Sequence, residues 1–492
     1  MNAKSMPTKS GPTKSGPVKS IPTKTMPTKS TDTTVVILAA GLGTRMRSKR
    51  AKVLHRAGGL ALVEHVVQAA GAVAPRERII VVTGHQADAV ETLLQPMGVR
   101  FARQVQQKGT GHAVMCARDP LQAADPKQNG LVMVLYGDTP LLSAATLKRL
   151  HDAQAKSGAA ATLITTTLEN PSGYGRVILD AHGHVTAIVE QKAASPEQLK
   201  VRTINSGIYC FRSSLLWKHI GEIQPNPAAQ ELYLTDIAEI LARHGHVVQA
   251  LHLDDASELL GINTRVELAE ADRILRARKA QELMLAGVTI ERPETVAIDA
   301  QVRVGSDTVI EPFVRLLGNT AIGEECRIGQ GAIIESSALA HQVTVAPYTM
   351  IADSRVDPGA QVGPFARIRM EAQVGPEARV GNFVELKKTR LGAGAKSQHL
   401  AYLGDADIGE RVNIGAGTIT CNYDGAKKHA TKIGAGAFIG SNSTLVAPLE
   451  IGEDSYVGAG SVITEAVPGQ ALALGRGRQV NKPGWVASRT KK

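Results

Sequence analysis

Acidic residues are missing from the first 31 positions, cysteine occurs four times in 492 residues, and aromatic side chains make up 3% of the chain. Each shortage excludes something. Cys116, Cys210, Cys326 and Cys421 stand far apart with no CxxC pair, which argues against a disulfide framework or a cysteine zinc site and predicts free thiols in a reducing compartment. Few aromatics leave few platforms for stacking bases. The net charge of +11 does not compensate, because Lys4, Lys9, Lys14, Lys19, Lys24 and Lys29 supply six of those charges before the first acid, Asp32. No nucleic-acid partner is expected. No apolar run approaches the ~18 residues of a membrane span, and no apolar leader opens the chain, so stable membrane insertion is not expected and the chain reads as cytoplasmic.

The length predicts two or three folded units. Residues 1–33 carry a pentapeptide array (MPTKS, GPTKS, GPVKS, IPTKT, MPTKS) whose proline at every fifth position forbids a helix, so a disordered basic tail is expected there. Over 34–263, apolar runs such as "TTVVILAA", "ERIIVVTG", "GLVMVLYGD", "ATLITTT", "NSGIYCF" and "VVQALHL" alternate with helical stretches, which predicts an α/β unit with a parallel or mixed Rossmann-like sheet. Ligands of such sheets collect at the carboxyl ends of the strands. Residues 264–287 open on a T-x-x-E capping box, Thr264 with Glu267, and close on Gly287, predicting a single linker helix.

From 288 to 474 the period changes to six. Val304, Ile310, Leu316, Ile322, Ile328 and Ile334 keep it, as do Val362, Ile368, Val374, Val380 and Leu386, then Ile433, Ile439, Leu445, Ile451, Val457 and Ile463. Hexads predict a parallel β-helix with one aliphatic residue of each pointing into a narrow core. Two stretches break the count, "KKTRLGAGAKSQHLAYLGD" and "TCNYDGAKKHATK", and read as loops leaving the column. Residues 475–492 read as a tail.

"VVILAAGLGTRM" sets two glycines directly after an apolar strand, yet it completes neither the Walker A nor the dinucleotide pattern. Its chemistry remains legible: Gly41 and Gly43 let backbone N–H groups approach phosphate oxygens, and Arg45 with Lys52 can supply charge. Gln104, Gln107, Gly109 and Thr110 suit the hydrogen-bonding edge of a base, and Asp138, ending a strand, suits a hard cation.

"LAAGLGTRM", "QKGTGHA", "LYGDTPL", "GYGRVI", "IVEQK", "INSGIY" and "LLGINTR" together resemble sugar-1-phosphate nucleotidyltransferases. With "GPFARIR", "VGNFVELKK", "SQHLAYLGD", "NIGAGTITCNYDG" and "GSNSTLVAP" following on hexads, the chain closely resembles the bacterial bifunctional N-acetylglucosamine-1-phosphate uridyltransferases / glucosamine-1-phosphate acetyltransferases over about Val35 to Arg476. The resemblance implies a left-handed β-helix, a homotrimer whose acetyl-transfer site is shared between chains, and small-molecule substrates: glucosamine-1-phosphate, acetyl-CoA, UTP and N-acetylglucosamine-1-phosphate.

In the first half it implies nucleotide and phosphate contacts at Leu38, Ala39, Ala40, Gly41, Lys52, Gln104, Gln107, Gly109, Thr110, Tyr136 and Gly137, with Arg45 facing the triphosphate. Gly175, Glu190 and Asn205 would hold the sugar, and Asp138 with Asn263 would bind Mg2+. In the second half, His399 would be the base and Glu385 its orienting carboxylate. Arg369, Lys387, Tyr402 and Asn413 would take the sugar phosphate, and Ala416, Asn422, Tyr423, Ser441, Ala459 and Arg476 the acetyl-CoA.

Two departures stand out: Ala51 replaces the proline usual before the lysine, and Leu42 replaces a common basic residue. Two other readings remain open at this point. One is a nucleotidyltransferase whose β-helix serves only assembly or regulation, against which His399, "NYDG" and Arg476 stand. The other is a nucleotide-binding scaffold or sensor, which would normally have lost Asp138 or Asn263.

Overall fold

Seven consecutive residues of β1 (Thr33–Ala39) are fully buried, and that is possible only for a strand covered on both faces. The computed structural model describes residues 33–125, 127–227 and 230–489, so the basic array lies outside the described residues except for Thr33, which pairs with Leu131 as the first residue of β1. The sheet also holds β2 (Ile79–Thr83), β3 (Arg100–Arg103), β4 (Leu131–Tyr136), β5 (Ala161–Thr167), β6 (Thr203–Arg212) and β7 (Val248–His252). Its order is β7-β5-β6-β4-β1-β2-β3. It is mixed: β6 runs antiparallel to β4 and β5, while the remaining neighbours are parallel. β3 lies at an edge with its arginines exposed, which is why no apolar run announced it. An antiparallel ribbon, Arg176–Leu179 with Val185–Val189, leans on β6.

The linker helix α1 (Arg265–Leu285) starts from a reciprocal cap. Thr264 Oγ1 accepts from the Glu267 N–H at 3.2 Å, and the Glu267 carboxylate accepts from the Thr264 N–H at 2.7 Å. Farther along, Arg276 bridges Asp272 and the buried Asp299 at 2.9 Å each, joining the helix to the first coil of the second unit. Gly59, at φ +86, packs against the Asp299 carboxylate where a Cβ would collide.

That second unit is a left-handed parallel β-helix of three sheets with eleven, ten and nine strands, each two to four residues long. Coils stack in register, as in Ile310↔Ile328 and Thr344↔Gln361, and strand N–H groups donate to the neighbouring coil, as in Thr344 to Ala360 at 3.0 Å. The aliphatic positions form one continuous core from Ala280 to Val467. Val304 is only half-buried, packed at the edge of that core.

The two expected loops differ. "KSQHLAYLGD" does not leave the column: Val380 pairs with Ser397 and Glu385 with Tyr402, so the coil continues with buried Ser397 in place of the aliphatic residue. This serine in the core, together with the five-residue steps from Leu386 to Leu391 and from Leu403 to Ile408, broke the apparent repeat. The second break is a real excursion: Ile408 pairs with Ile433, and between them a small bridge, Tyr423↔Lys428, closes a loop on the surface. In the C-terminal stretch Gly475 still accepts from the Val462 N–H at 3.0 Å, and Trp485–Arg489 forms a short helix.

Leu386 is fully buried in a middle coil, and Leu386→Ala should cost the β-helix about 2–5 kcal/mol, lowering its denaturant midpoint while uridylyl transfer by the folded first unit persists. An unchanged midpoint would contradict the continuous core.

Candidate active sites

Backbone conformation at the glycine loop separates two roles. Gly43 has φ +63, and a Cβ there would lie 2.6 Å from the Lys52 Cβ, so this glycine lets Lys52 pack beneath the turn. Gly41 faces open space, and its N–H is free to meet a ligand. Lys52 Nζ forms an ion pair with Asp138 and donates to Asn263 Oδ1 at 3.1 Å, and Arg45 donates to the same amide oxygen at 2.8 Å.

Distant segments converge here because strand ends meet. The Gly137 N–H donates to Leu38 O at 2.9 Å, the Ile262 N–H donates to Asp138 O at 2.9 Å, and the Asn263 N–H donates to the Glu267 carboxylate at 2.6 Å. The result is a cavity of about 620 Å³ lined by Leu38, Ala39, Ala40, Gly41, Arg45, Lys52, Gln104, Gln107, Gly109, Thr110, Tyr136, Asp138 and Asn263. Leu42, Thr44, Val53, Ala113 and Glu231 line it too; none was singled out as a contact, and Glu231 comes from a turn far along the chain with no motif to mark it. Gln107 donates to Ala40 O at 2.7 Å and Gln104 to Gly109 O at 3.0 Å, which braces the two loops. The Ala51 N–H donates to the Gln86 side chain at 2.8 Å, a bond that proline could not make.

Gly175, Glu190 and Asn205 form an adjoining group. The Asn205 N–H donates to Gly175 O at 2.9 Å, the Asn205 amide donates to Tyr209 Oη at 2.8 Å, and Gly175 leaves the space next to the Glu190 carboxylate. Burial, then the charge of Asp236, raises the Glu190 carboxyl above its ordinary value. Tyr136 stands between the two groups, its phenol raised by burial and then by Asp138 and Glu190.

In the β-helix, register sets the neighbours. Arg369 pairs with Lys387 and Lys387 with Gly404, while Asn382 pairs with His399 and Lys396 with Asn413. Arg369 donates to Glu385 at 2.6 Å, and buried Lys387 donates to Asp405 at 3.1 Å, where the Asn422 amide also bonds. Lys428, returned by the surface excursion, has its pKa lowered by the Lys387 ammonium beside it and, less strongly, by Arg369. Three cations thus meet at one point; Lys428 was not anticipated, since only the closing of its loop brings it there.

Exposed His399 has Nδ1 3.0 Å from Asn382 Oδ1. Glu385 was expected to orient it, but within the chain that carboxylate is engaged by Arg369 and the ring partner is Asn382. The next residue, Leu400, lies on a hydrogen-bonded corner ladder: Gly417 donates to Leu400 O, Asn442 to Ala416 O and Gly460 to Ser441 O. Ala416, Ser441 and Ala459 therefore share one edge with His399, and Arg476 lies over Gly460 on that edge. Asn422 is buried, Tyr423 is exposed and Tyr402 lies against Gly404.

Comparison with known proteins accords with both halves. The family of the MobA-like NTP transferase domain matches residues 35–211, and that of the bacterial transferase hexapeptide (six repeats) matches residues 301–336 and 430–465. A bifunctional protein GlmU of Solibacter usitatus (strain Ellin6076) is 56% identical over 458 residues, spanning 93% of this chain and 97% of that protein. The chain belongs to the GlmU family. Bifunctional GlmU proteins of Koribacter versatilis (strain Ellin345), 48% identical over 92% of this chain and 97% of theirs, and Anaeromyxobacter dehalogenans (strain 2CP-C), 50% identical over 93% of each, extend the match. As a GlmU-family member it is a bifunctional transferase, with uridylyltransferase and acetyltransferase activities on one chain. No described helix is long and apolar enough to cross a membrane.

Ionising Glu190 in its buried place costs stability; that cost is absent below the ordinary value of 4.5 and grows as pH rises through the raised value. Glu190→Gln should melt with the wild type at about pH 4 and above it at about pH 8, measured by calorimetry. A variant that melted lower at about pH 8 would show that the carboxylate is stabilised in place instead.

Proposed function

We propose that the acetylation of glucosamine-1-phosphate occurs along the His399 edge of the β-helix, and that its product receives a uridylyl group from UTP in the cavity around Lys52 and Asp138. The observation that carries this assignment is that each site gathers cations already held by carboxylates, Lys52 on Asp138 and Lys387 on Asp405, which an incoming phosphate can take over.

For acetyl transfer, Arg369, Lys387 and Lys428 hold the sugar phosphate, with Tyr402 and Asn413 beside the sugar. Asn382 Oδ1 can only accept from Nδ1, so the other ring nitrogen of His399 carries the lone pair and takes a proton from the amine. The amine then forms the N–C bond as the thioester C–S bond breaks and coenzyme A leaves. Ala416, Asn422, Tyr423, Ser441, Ala459 and Arg476 seat the cofactor along the edge, and Glu385 steadies Arg369.

For uridylyl transfer, the sugar phosphate oxygen attacks the α-phosphorus, a P–O bond forms, and pyrophosphate leaves. Repulsion opposes it: at ~4 Å and an effective dielectric of ~20, each pair of like unit charges costs about 4 kcal/mol. Arg45 and Lys52 offset this, the glycine loop receives the nucleotide, Gln104 and Gln107 brace the base pocket, and Glu190 and Asn205 hold the sugar. Asp138 and Asn263 would hold Mg2+: both present hard oxygens to one ammonium, an arrangement that suits such a cation. Magnesium, when bound, neutralises phosphate charge.

A homotrimer in the cytoplasm completes the reading. Phe313, Tyr348, Phe365, Phe383 and Leu400 are exposed on the β-helix, with Tyr348, Phe365 and Phe383 stacked 5.4 to 5.5 Å apart and Leu400 beside His399, a surface suited to a second copy of the chain. The four free thiols fit a reducing compartment.

His399→Ala should abolish coenzyme A release yet spare pyrophosphate release, and Asp138→Ala should do the reverse. Loss of both activities in a folded single variant would contradict the separation of sites. Phe365→Glu should reduce the trimer mass in light scattering and weaken acetyl transfer while uridylyl transfer persists; an intact trimer would remove that face from the interface.

A further inference from the structure

Away from both sites, three metal-ligating side chains meet at the back of the first unit. His219 ends the helix Ser213–His219, Glu222 lies in the turn after it, and His244 follows the helix Asp236–Arg243. Their donor atoms all lie within 4.8 Å of one another. His219 Nδ1 is 2.6 Å from one Glu222 oxygen, and His244 Nε2 is 2.9 Å from the other. The two imidazole centroids are 4.3 Å apart, and His246 adds a third ring 5.4 Å from His219.

Each of the three side chains turns a donor atom toward the other two. The His219 side chain is 2% exposed and its Nε2 is buried with no partner, which leaves Nδ1 as the nitrogen that faces the cluster. The neutral ring is the form that binds metals. We propose that His219, Glu222 and His244 form a binding site for a divalent transition metal of the zinc class, distinct from the Asp138–Asn263 pair. Two imidazoles with one carboxylate are ligands for zinc, whereas magnesium prefers an all-oxygen shell. Tetrahedral zinc with bonds of about 2.0–2.1 Å separates its ligand atoms by about 3.3 Å, so the 2.6 and 2.9 Å hydrogen bonds would open by about half an ångström to admit the ion. His244 is exposed and the Glu222 side chain is half-exposed, so both can turn toward an ion without disturbing the core, leaving a fourth position for water.

The ion would staple two helices. Thr235 and Asp236, at the start of the helix that ends before His244, are the groups that act on Glu190, so one helix of eight residues, about 12 Å long, runs from His244 to the residues beside Glu190.

The test uses the full chain without histidine tags, stripped by chelation and titrated with Zn2+ alone. One equivalent per chain should bind, raising the melting temperature, and Co2+ should give the visible bands of a tetrahedral site. His244→Ala and Glu222→Gln should each weaken Zn2+ binding at least tenfold and remove the melting shift, with both transferase activities unchanged; Asp138→Ala should keep the site. Failure to bind Zn2+ at micromolar concentration, or equal binding by His244→Ala, would overturn the proposal.

Discussion

One carboxylate holds together the parts of this chain that must cooperate. Glu267 accepts from the backbone N–H groups of Asn263 and Thr264, so the residue that presents an amide oxygen to Lys52 is locked to the first turn of the linker helix. The helix then reaches Asp299 through Arg276, which ties the cavity to the first coil of the β-helix. A favourable cap is worth about 1 kcal/mol in an ordinary helix. Here it also sets the height of Asn263 opposite Asp138, whose own backbone oxygen accepts from Ile262.

The two units position side chains by different physics. In the mixed sheet, residues from five segments meet because parallel strands end together, and loop length governs which groups face one another. In the β-helix, a residue's neighbour is the one a coil farther on, so Asn382 meets His399 and Arg369 meets Lys387 with no long loop to order. Only the excursion that delivers Lys428 departs from this rule.

The electrostatics nonetheless follow one plan. Lys52, Arg369 and Lys387 are each held by an acidic partner within the chain. Leaving such cations unpaired in half-buried places would be costly. The pairing holds each side chain in place against its carboxylate.

The sequence by itself determined the hexad core, the capping box, the strand runs and the residue types around the glycine loop, because local periodicity and charge depend on neighbours in the chain. It misread "KSQHLAYLGD" as a loop, since Ser397 occupies a core position that only stacking identifies. It marked neither Asn382 as the partner of His399, nor Glu231 in the cavity beside the glycine loop, nor Lys428 beside Lys387. It also passed over the meeting of His219 with His244. Those were decided by tertiary structure, because each depends on coil register, on a loop's return path or on the packing of two helices, and these distances through space leave no spacing in the sequence to read.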